Sequence, residues 1–235
     1  MIHTGRHRIK THGGIPHGST LNLRGNLEFY YQNRVSQTGA QWKDQGGNDN
    51  HAAQTEEDER PVVVDGGGLD FDGTNDHMNL TSFTINDEEE WCFFIVCKAD
   101  AIGGCYISDS TNELMKNVSA NAHQIKLTGT ALTLSHGPGT FTTSADEKYV
   151  LMIYRDAASD IFITKNGVEH DPSLNNISGF DIQNLGSKND AANFFDGKMY
   201  DVGFISGTFA EVLKNRQMIG DYLMSKHGIA RLGNK

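Results

Sequence analysis

The feature that most constrains the fold is a series of short segments with the alternation of a β-strand, separated by Gly, Asn and Asp. In the first of them, Leu27, Phe29 and Tyr31 share one side while Glu28 and Tyr30 share the other, the period of two of an extended chain. Many short strands joined by turns predict an all-β, two-sheet antiparallel jelly-roll sandwich. The predicted strands cover residues 27–32, 61–65, 68–71, 77–80, 91–98, 105–108, 124–127, 131–134, 149–155, 160–164, 180–185 and 194–205.

Two local signals late in the chain predict a hairpin and a helix. The pair Asn166-Gly167 accepts the positive φ angles of a two-residue type I′ turn. Thr208, with Glu211 three residues later, forms a capping box, and Gly228 is a left-handed helix stop. We therefore predict a short C-terminal helix over about 208–227 that covers an otherwise exposed part of a sheet. Its apolar face contains Val212, Ile219, Tyr222 and Leu223.

Residues 1–20 differ in composition from the rest of the chain. They have no periodic apolar pattern and carry Arg6, Arg8 and Lys10 without an acidic residue. We predict an extended basic N-terminal arm over 1–20, followed by one sandwich domain over 21–235. The formal net charge of the whole chain is −10, so the body repels nucleic acid and anionic membranes, and neither is an expected partner.

The three cysteines predict a protein made in a reducing compartment. Cys92 and Cys97 lie five residues apart on one predicted strand and therefore point to opposite faces, so they cannot bridge each other. With Cys105 the count is odd, and no Cys-x-x-Cys pair occurs. No apolar stretch approaches the roughly 18 residues that span a bilayer, and the start lacks the hydrophobic centre of a secretory signal. We expect buried, reduced thiols.

Three motifs in order resemble the concanavalin A-like, laminin G-like jelly rolls of bacterial and phage surface proteins. The motifs are the W-x-D-x-x-G-N-x-N-x-A segment over 42–52, the L-x-F-D-G segment over 69–78, and the final strand with its closing helix over 193–229. Gly46 stands where the family usually has Ser. The resemblance covers residues about 27–229 and implies the same two-sheet fold.

The resemblance and the basic arm together predict a virion protein. Chains with this closing helix resemble those of tailed phages, and we predict a structural or decoration protein made in the host cytoplasm and displayed on the virion surface. The arm would dock on other virion proteins or on copies of the same chain. The alternative is a lectin-like adhesin that binds a surface glycan.

Candidate ligand residues follow from both hypotheses. Aromatic and amide side chains on loops suit a sugar, and Trp42, Asn48, Asn50 and His136 are the candidates for a glycan site. The alternative for each is a structural role, because aromatic residues are most often in the core.

Calcium is the cofactor that the resemblance suggests. Related domains often hold it at loop carboxylates, and Asp72, Asn75, Asp76 and Asp201 provide suitable oxygens. The alternative is that these residues close turns and cap strands, since no twelve-residue calcium loop is present.

No motif for catalysis is present, and we predict that the protein is not an enzyme. Glycoside hydrolysis needs a pair of carboxylates held across a sugar bond. The consecutive acids over 87–90 and the pair Glu169 and Asp171 are instead typical of solvated turns. Nucleophile elbows, phosphate loops and zinc-binding His pairs are likewise missing from the sequence.

Overall fold

The computed structural model of the chain describes residues 26–33, 35, 37–109, 114–119, 122–127, 130–135, 147–188, 192–207 and 209–231. Within these ranges the strands form two eight-stranded sheets with antiparallel pairing, and one α-helix follows the last strand. The predicted two-sheet β-sandwich with a C-terminal helix is confirmed. No helix in the described ranges is long and apolar enough to cross a membrane.

The elements are given in chain order. They are β1 (Asn26–Tyr31), β2 (Gln41–Trp42), β3 (Ala52–Ala53), β4 (Val62–Val63), β5 (Leu69–Asp72), β6 (Met78–Ile85), β7 (Glu90–Ala99), β8 (Cys105–Ser108), β9 (Met115–Ser119), β10 (Ala122–Leu127), β11 (Thr130–Ser135), β12 (Tyr149–Arg155), β13 (Asp160–Lys165), β14 (Val168–Asn175), β15 (Phe180–Leu185), β16 (Asp196–Gly207) and α1 (Phe209–His227), with a 3₁₀ turn at Glu57–Glu59.

The first sheet has the order β14-β13-β12-β7-β16-β5-β4, and β1 also pairs with β16. The long strand β16 has two neighbours on that side, since Met199 is opposite Leu69 of β5 and Ile205 is opposite Leu27 of β1. The second sheet has the order β11-β10-β9-β8-β15-β6-β3-β2. The predicted hairpin is confirmed, because Asn166 and Gly167 connect β13 to β14 with φ angles of 46° and 77°.

The main core lies between the two sheets and is rich in aromatic rings. Phe71, Trp91 and Phe195 are at most 1% exposed there, as their alternation predicts. The Trp91 ring stacks on Phe204 with centroids 5.8 Å apart and meets Phe180 edge-on at 5.4 Å. Rings in these geometries add to the stabilisation that apolar burial already provides.

A second apolar layer lies on the outer face of the first sheet, under α1. It contains Cys92, Phe94 and Val150 from the sheet and Val212 and Leu223 from the helix. Cys97, in contrast, lies in the main core, which confirms that the two thiols point to opposite faces. Burial raises the pKa of each thiol to about 12, so neither is a nucleophile at neutral pH.

Replacing Trp91 with Ala is expected to lower the free energy of unfolding by about 3 to 5 kcal/mol, because it leaves a large cavity between the sheets. Urea unfolding followed by far-ultraviolet circular dichroism measures the loss. The matched control is Val62→Ala on the sheet edge, where the residue is 64% exposed and a change below about 0.5 kcal/mol is expected. A loss below about 1 kcal/mol for Trp91→Ala would contradict its place in the core.

Candidate functional site

A groove lies between α1 and the β13–β14 hairpin. Its volume is about 260 Å³. Helix residues spaced by three or four positions form one wall, as expected for side chains on one face. The lining comprises Arg216, Gln217, Gly220 and Asp221 on the helix, Thr164, Gly167 and Glu169 on the hairpin, Met152 and Met224 in the floor, and Arg231 after the helix.

A charged pair spans the two walls of this groove. The Arg216 Nη1 atom donates to Glu169 Oε2 at 2.6 Å, and the Tyr154 hydroxyl donates to the same oxygen. The Arg216 guanidinium also lies 4.0 Å from the centroid of the Tyr154 ring. Burial alone would raise the pKa of Glu169, but the hydrogen bonds from Tyr154 and Arg216 outweigh it, and the pKa is lowered. Glu169 is therefore ionised at neutral pH.

Two glycines leave the groove open. A Cβ atom at Gly220 on the helix would lie 3.2 Å from the Met152 sulfur. A Cβ atom at Gly167 would lie 2.8 Å from Arg231 Nε, and the φ angle of 77° at this position also favours glycine. Side chains at these two positions would occupy the space between the helix and the hairpin.

A second concavity lies at the end of the sandwich where β6 turns into β7. Its volume is about 650 Å³ and it is broadly open to solvent. Its carboxylates are those of Asp87, Asp109 and Asp181. Asp181 accepts a hydrogen bond from Thr84 at 2.5 Å, and Asp87 accepts one from the backbone of Gly179 at 2.7 Å. The lining of this surface has hydrogen-bond acceptors but no cationic side chain, whereas the lining of the groove contains both acids and arginines.

Asp201 on β16 forms a buried ion cluster beneath the last turn of α1. The carboxylate is fully buried, and its Oδ1 atom lies 2.7 Å from both Tyr30 Oη and Lys226 Nζ. Its Oδ2 atom lies 2.5 Å from His227 Nε2. Burial by itself would raise the pKa of Asp201, but the hydrogen bond from His227 and the charge of Lys226 outweigh it and lower the pKa. The cluster fixes the end of the helix to the first sheet.

Asp201 therefore does not belong to a calcium site with Asp72, Asn75 and Asp76, as the sequence suggested. Asp72 is paired with Asp196, and Asp201 lies about 16 Å further along β16 at the rise of an extended strand. Its two oxygens already contact Lys226, His227 and Tyr30. Among the described residues, no group of three or more His, Cys, Asp or Glu side chains could hold a metal ion.

The other three residues of that set close the turn after β5. The Asp72 Oδ1 atom accepts the backbone N–H of Thr74 at 2.8 Å and of Asn75 at 3.3 Å. The Asp76 Oδ2 atom in turn accepts a hydrogen bond from the backbone N–H of Asp72 at 2.9 Å. The Asn75 amide donates to the carbonyl of Asp58 at 2.8 Å. These contacts match the alternative of turn closure.

Trp42 does not provide a platform for a sugar, because its side chain is wholly buried. The indole N–H donates to the carbonyl of Gln32 at 3.1 Å, and the ring lies 5.5 Å from that of Tyr31. The indole thus anchors the polar segment over residues 42–52 to the core. This is the structural alternative considered for Trp42 from the sequence.

Asn48 and Asn50 fasten the same segment to β1. The Asn48 amide donates to the carbonyl of Leu27 at 2.6 Å, and the Asn50 amide donates to that of Glu28 at 2.8 Å. Asp44 completes the motif by accepting the backbone N–H of Tyr30 at 2.8 Å. The side-chain amides of Asn48 and Asn50 are therefore used to attach this segment to β1.

Several predicted positions lie outside the described residues. These are the whole arm with Arg6, Arg8 and Lys10, the candidate sugar contact His136, and the helix cap Thr208. The roles predicted for them stay predictions.

Sequence patterns did not identify the groove. Glu169 was assigned to a solvated turn. It is exposed as predicted, but it lies on the strand β14 and pairs with Arg216, which is 47 positions away. The hairpin and the helix were each predicted separately. No pattern in the sequence specified that they lie side by side.

The chain matches solved structures of toxin binding domains in fold. The binding domain of Paraclostridial Mosquitocidal Protein 1 gives a TM-score of 0.55 at 14% identity, over 85% of this chain and 52% of that chain. The botulinum neurotoxin serotype G binding domain gives 0.56 at 11%, over 82% and 50%. The serotype D ligand-binding domain, solved in complex with N-acetylneuraminic acid, gives 0.56 at 9%, over 85% and 51%.

These similarities establish the fold and no more, because the identities are low. The chain spans about half the length of the structures it matches. No protein-family model matches the chain. No curated protein sequence matches it either. The shared fold is a two-sheet sandwich found in binding domains, in agreement with the predicted fold.

Proposed function

We propose that the protein is a lectin-like carbohydrate-binding domain and that the groove between α1 and the β13–β14 hairpin is its sugar site. The observation that carries this proposal is the chemistry of the lining. A sugar presents hydroxyl groups that donate and accept, together with an apolar face of C–H groups. The groove offers the same combination in one small space.

The polar groups and the floor of the groove have complementary roles in this proposal. Gln217 has an amide that donates and accepts, and Glu169 provides an ionised acceptor beside the Arg216 donor. The floor is formed by Met152 and Met224, whose thioethers are polarisable and adaptable. The volume of about 260 Å³ is below the range of about 300–1,000 Å³ for drug-sized ligands and suits about one sugar ring.

The comparisons support a binding role better than a virion role. The matched structures are binding domains, and one of them holds a sugar. They give no support to decoration of a tailed-phage particle, so that role and the virion location stay untested predictions. Binding without turnover is part of the proposal, because Glu169 is held ionised by two donors and is therefore a poor general acid at neutral pH.

Replacing Glu169 with Gln is expected to weaken sugar binding at least tenfold. The substitution keeps the shape but removes the charge, and a hydrogen bond to a charged group is worth about 1.5–3 kcal/mol. A glycan array would first identify a bound saccharide, and titration calorimetry would then compare wild type with the variant. A reducing-end assay on the same saccharide should show no turnover.

Two control variants make this test specific. Asp181→Asn changes a carboxylate in the open concavity, and Lys214→Gln changes an exposed charge on α1 outside the groove lining. Both should bind as wild type does. Loss of binding in Asp181→Asn with retention in Glu169→Gln would move the site to the open concavity. No saccharide bound on the array would reject the proposed function.

A further inference from the structure

The two arginines of the groove differ in how far their donors are already used. Arg216 is 17% exposed, donates to Glu169 at 2.6 Å and stacks on Tyr154. Arg231 is 57% exposed, and its one polar contact with another described residue is an ion pair at 3.9 Å with Asp221. At that distance the pair is a loose surface contact of little energy. Arg231 therefore has several N–H donors directed to solvent at the edge of the groove.

Packing against the hairpin turn holds Arg231 at this edge. Its Nε and Cγ atoms lie 2.8 and 3.2 Å from the position that a Cβ atom would take at Gly167. The side chain thus crosses the turn where Gly167 leaves space for it. The chain reaches this point because the helix stops at Gly228, which has a φ angle of 64°. The backbone places a cation beside a cavity that already contains acceptors for hydroxyl groups.

We infer that the groove selects sugars that carry a carboxylate, and that Arg231 is the residue that determines this specificity. The inference rests on the proposed function and adds the class of ligand to it. A guanidinium matches a carboxylate with two parallel N–H donors, which gives geometric selectivity as well as attraction. Asp221 would then accept hydrogen bonds from the hydroxyl groups of the same ring, and Gln217 would donate to them or accept from them.

The charges near the groove permit an anionic ligand despite the formal net charge of −10. Glu169 is neutralised by its close contact with Arg216, and Asp221 is 54% exposed and therefore screened by water. Charges elsewhere on the surface are largely screened beyond about 8–10 Å at physiological ionic strength. The contact between the Arg231 guanidinium and a ligand carboxylate is direct and therefore much less screened. It would decide the preference between two sugars that differ only in the carboxylate.

The experiment compares matched sugars that differ in the carboxylate alone. Full-length protein is titrated with glucose and glucuronic acid, with galactose and galacturonic acid, and with neutral and acidic forms of any saccharide that the array identifies. The acidic form should bind at least tenfold more tightly than its neutral partner. In Arg231→Gln this ratio of affinities should fall to about one. Arg231→Lys should keep part of the preference, because lysine retains the positive charge but lacks the two parallel N–H donors of the guanidinium.

The outcomes separate this inference from the proposed function. Lys214→Gln, an exposed change of equal charge on α1, should keep the full preference, and an unchanged thermal midpoint shows that Arg231→Gln is folded. Neutral and acidic forms that bind equally, or a preference that persists in Arg231→Gln, would overturn the inference and leave sugar binding intact. Failure of every saccharide to bind would overturn the proposed function itself.

Discussion

Replacing Arg155 with Met is expected to lower the free energy of unfolding by about 3 to 5 kcal/mol, although no carboxylate among the described residues lies at hydrogen-bonding distance from its guanidinium. The side chain is wholly buried at the end of β12. It donates to four backbone carbonyls: Asn86 at 3.0 Å, Glu89 at 2.8 Å, Asn176 at 3.2 Å and Ser178 at 2.6 Å. Methionine would remove all four hydrogen bonds from these part-buried carbonyls, and the net contribution of each is about 1 kcal/mol.

The same arginine joins two segments that hold the end of the sandwich together. The turn between β6 and β7 and the segment before β15 also contact each other directly, since Glu88 N donates to the carbonyl of Ile177 at 2.7 Å. Loss of Arg155 should therefore increase amide exchange at Glu88 and Gly179 more than in the centre of β7. Urea unfolding measures the global loss, and hydrogen exchange measures the local one.

Arg155→Lys is the matched variant, because it keeps the charge but has three donors in place of five. Its stability should lie between those of wild type and Arg155→Met. A methionine variant as stable as wild type would mean that the cost of burying the guanidinium cancels its hydrogen bonds, and the assigned role would be wrong.

Replacing Asp201 with Ala is the second change with a large expected effect, also about 3 to 5 kcal/mol. Removing one partner of a buried ion pair leaves an uncompensated charge, here that of Lys226 beside His227. Asp201→Asn keeps the size of the side chain and should cost about 3 kcal/mol. Glu57→Gln, an exposed acid in the 3₁₀ turn, is the control and should change stability by less than about 0.5 kcal/mol.

The pH dependence of the lost stability distinguishes the contribution of the Asp201 charge from that of its shape. The folded pKa of Asp201 is lowered, so its stabilisation is present above the unfolded value of about 3.9 and is lost as the pH falls below it. The stability gap between wild type and Asp201→Asn should be constant near neutral pH and narrow below about pH 4. A gap that stays the same down to pH 2 would show that ionisation contributes nothing.

Local patterns in the sequence were sufficient to predict most of the strands and several core residues. Alternation, together with position in the resembled family, predicted Phe71, Trp91 and Phe195 to lie in the core, because successive side chains of a strand point to opposite faces. The five-residue spacing of Cys92 and Cys97 predicted correctly that the two thiols enter different layers. The strands β2, β3, β9 and β14 were missed. Two of them are two residues long, β9 mixes polar and apolar residues without a clear period, and β14 is polar over most of its length.

The sequence by itself determined most of the strands, the hairpin turn and the closing helix, since period, turn geometry and helix termination depend on residues that are near neighbours in the chain. The tertiary structure alone decided which polar residues meet. Asp201 resembled a loop ligand in the sequence, but β16 places it under Lys226. Glu169 is exposed as predicted, but α1 also places Arg216 beside it. Such pairs depend on which strand borders which and on how the helix crosses the sheet. Contacts between residues far apart in the chain determine the order of the strands and the position of the helix. Such contacts produce no periodic pattern in the sequence.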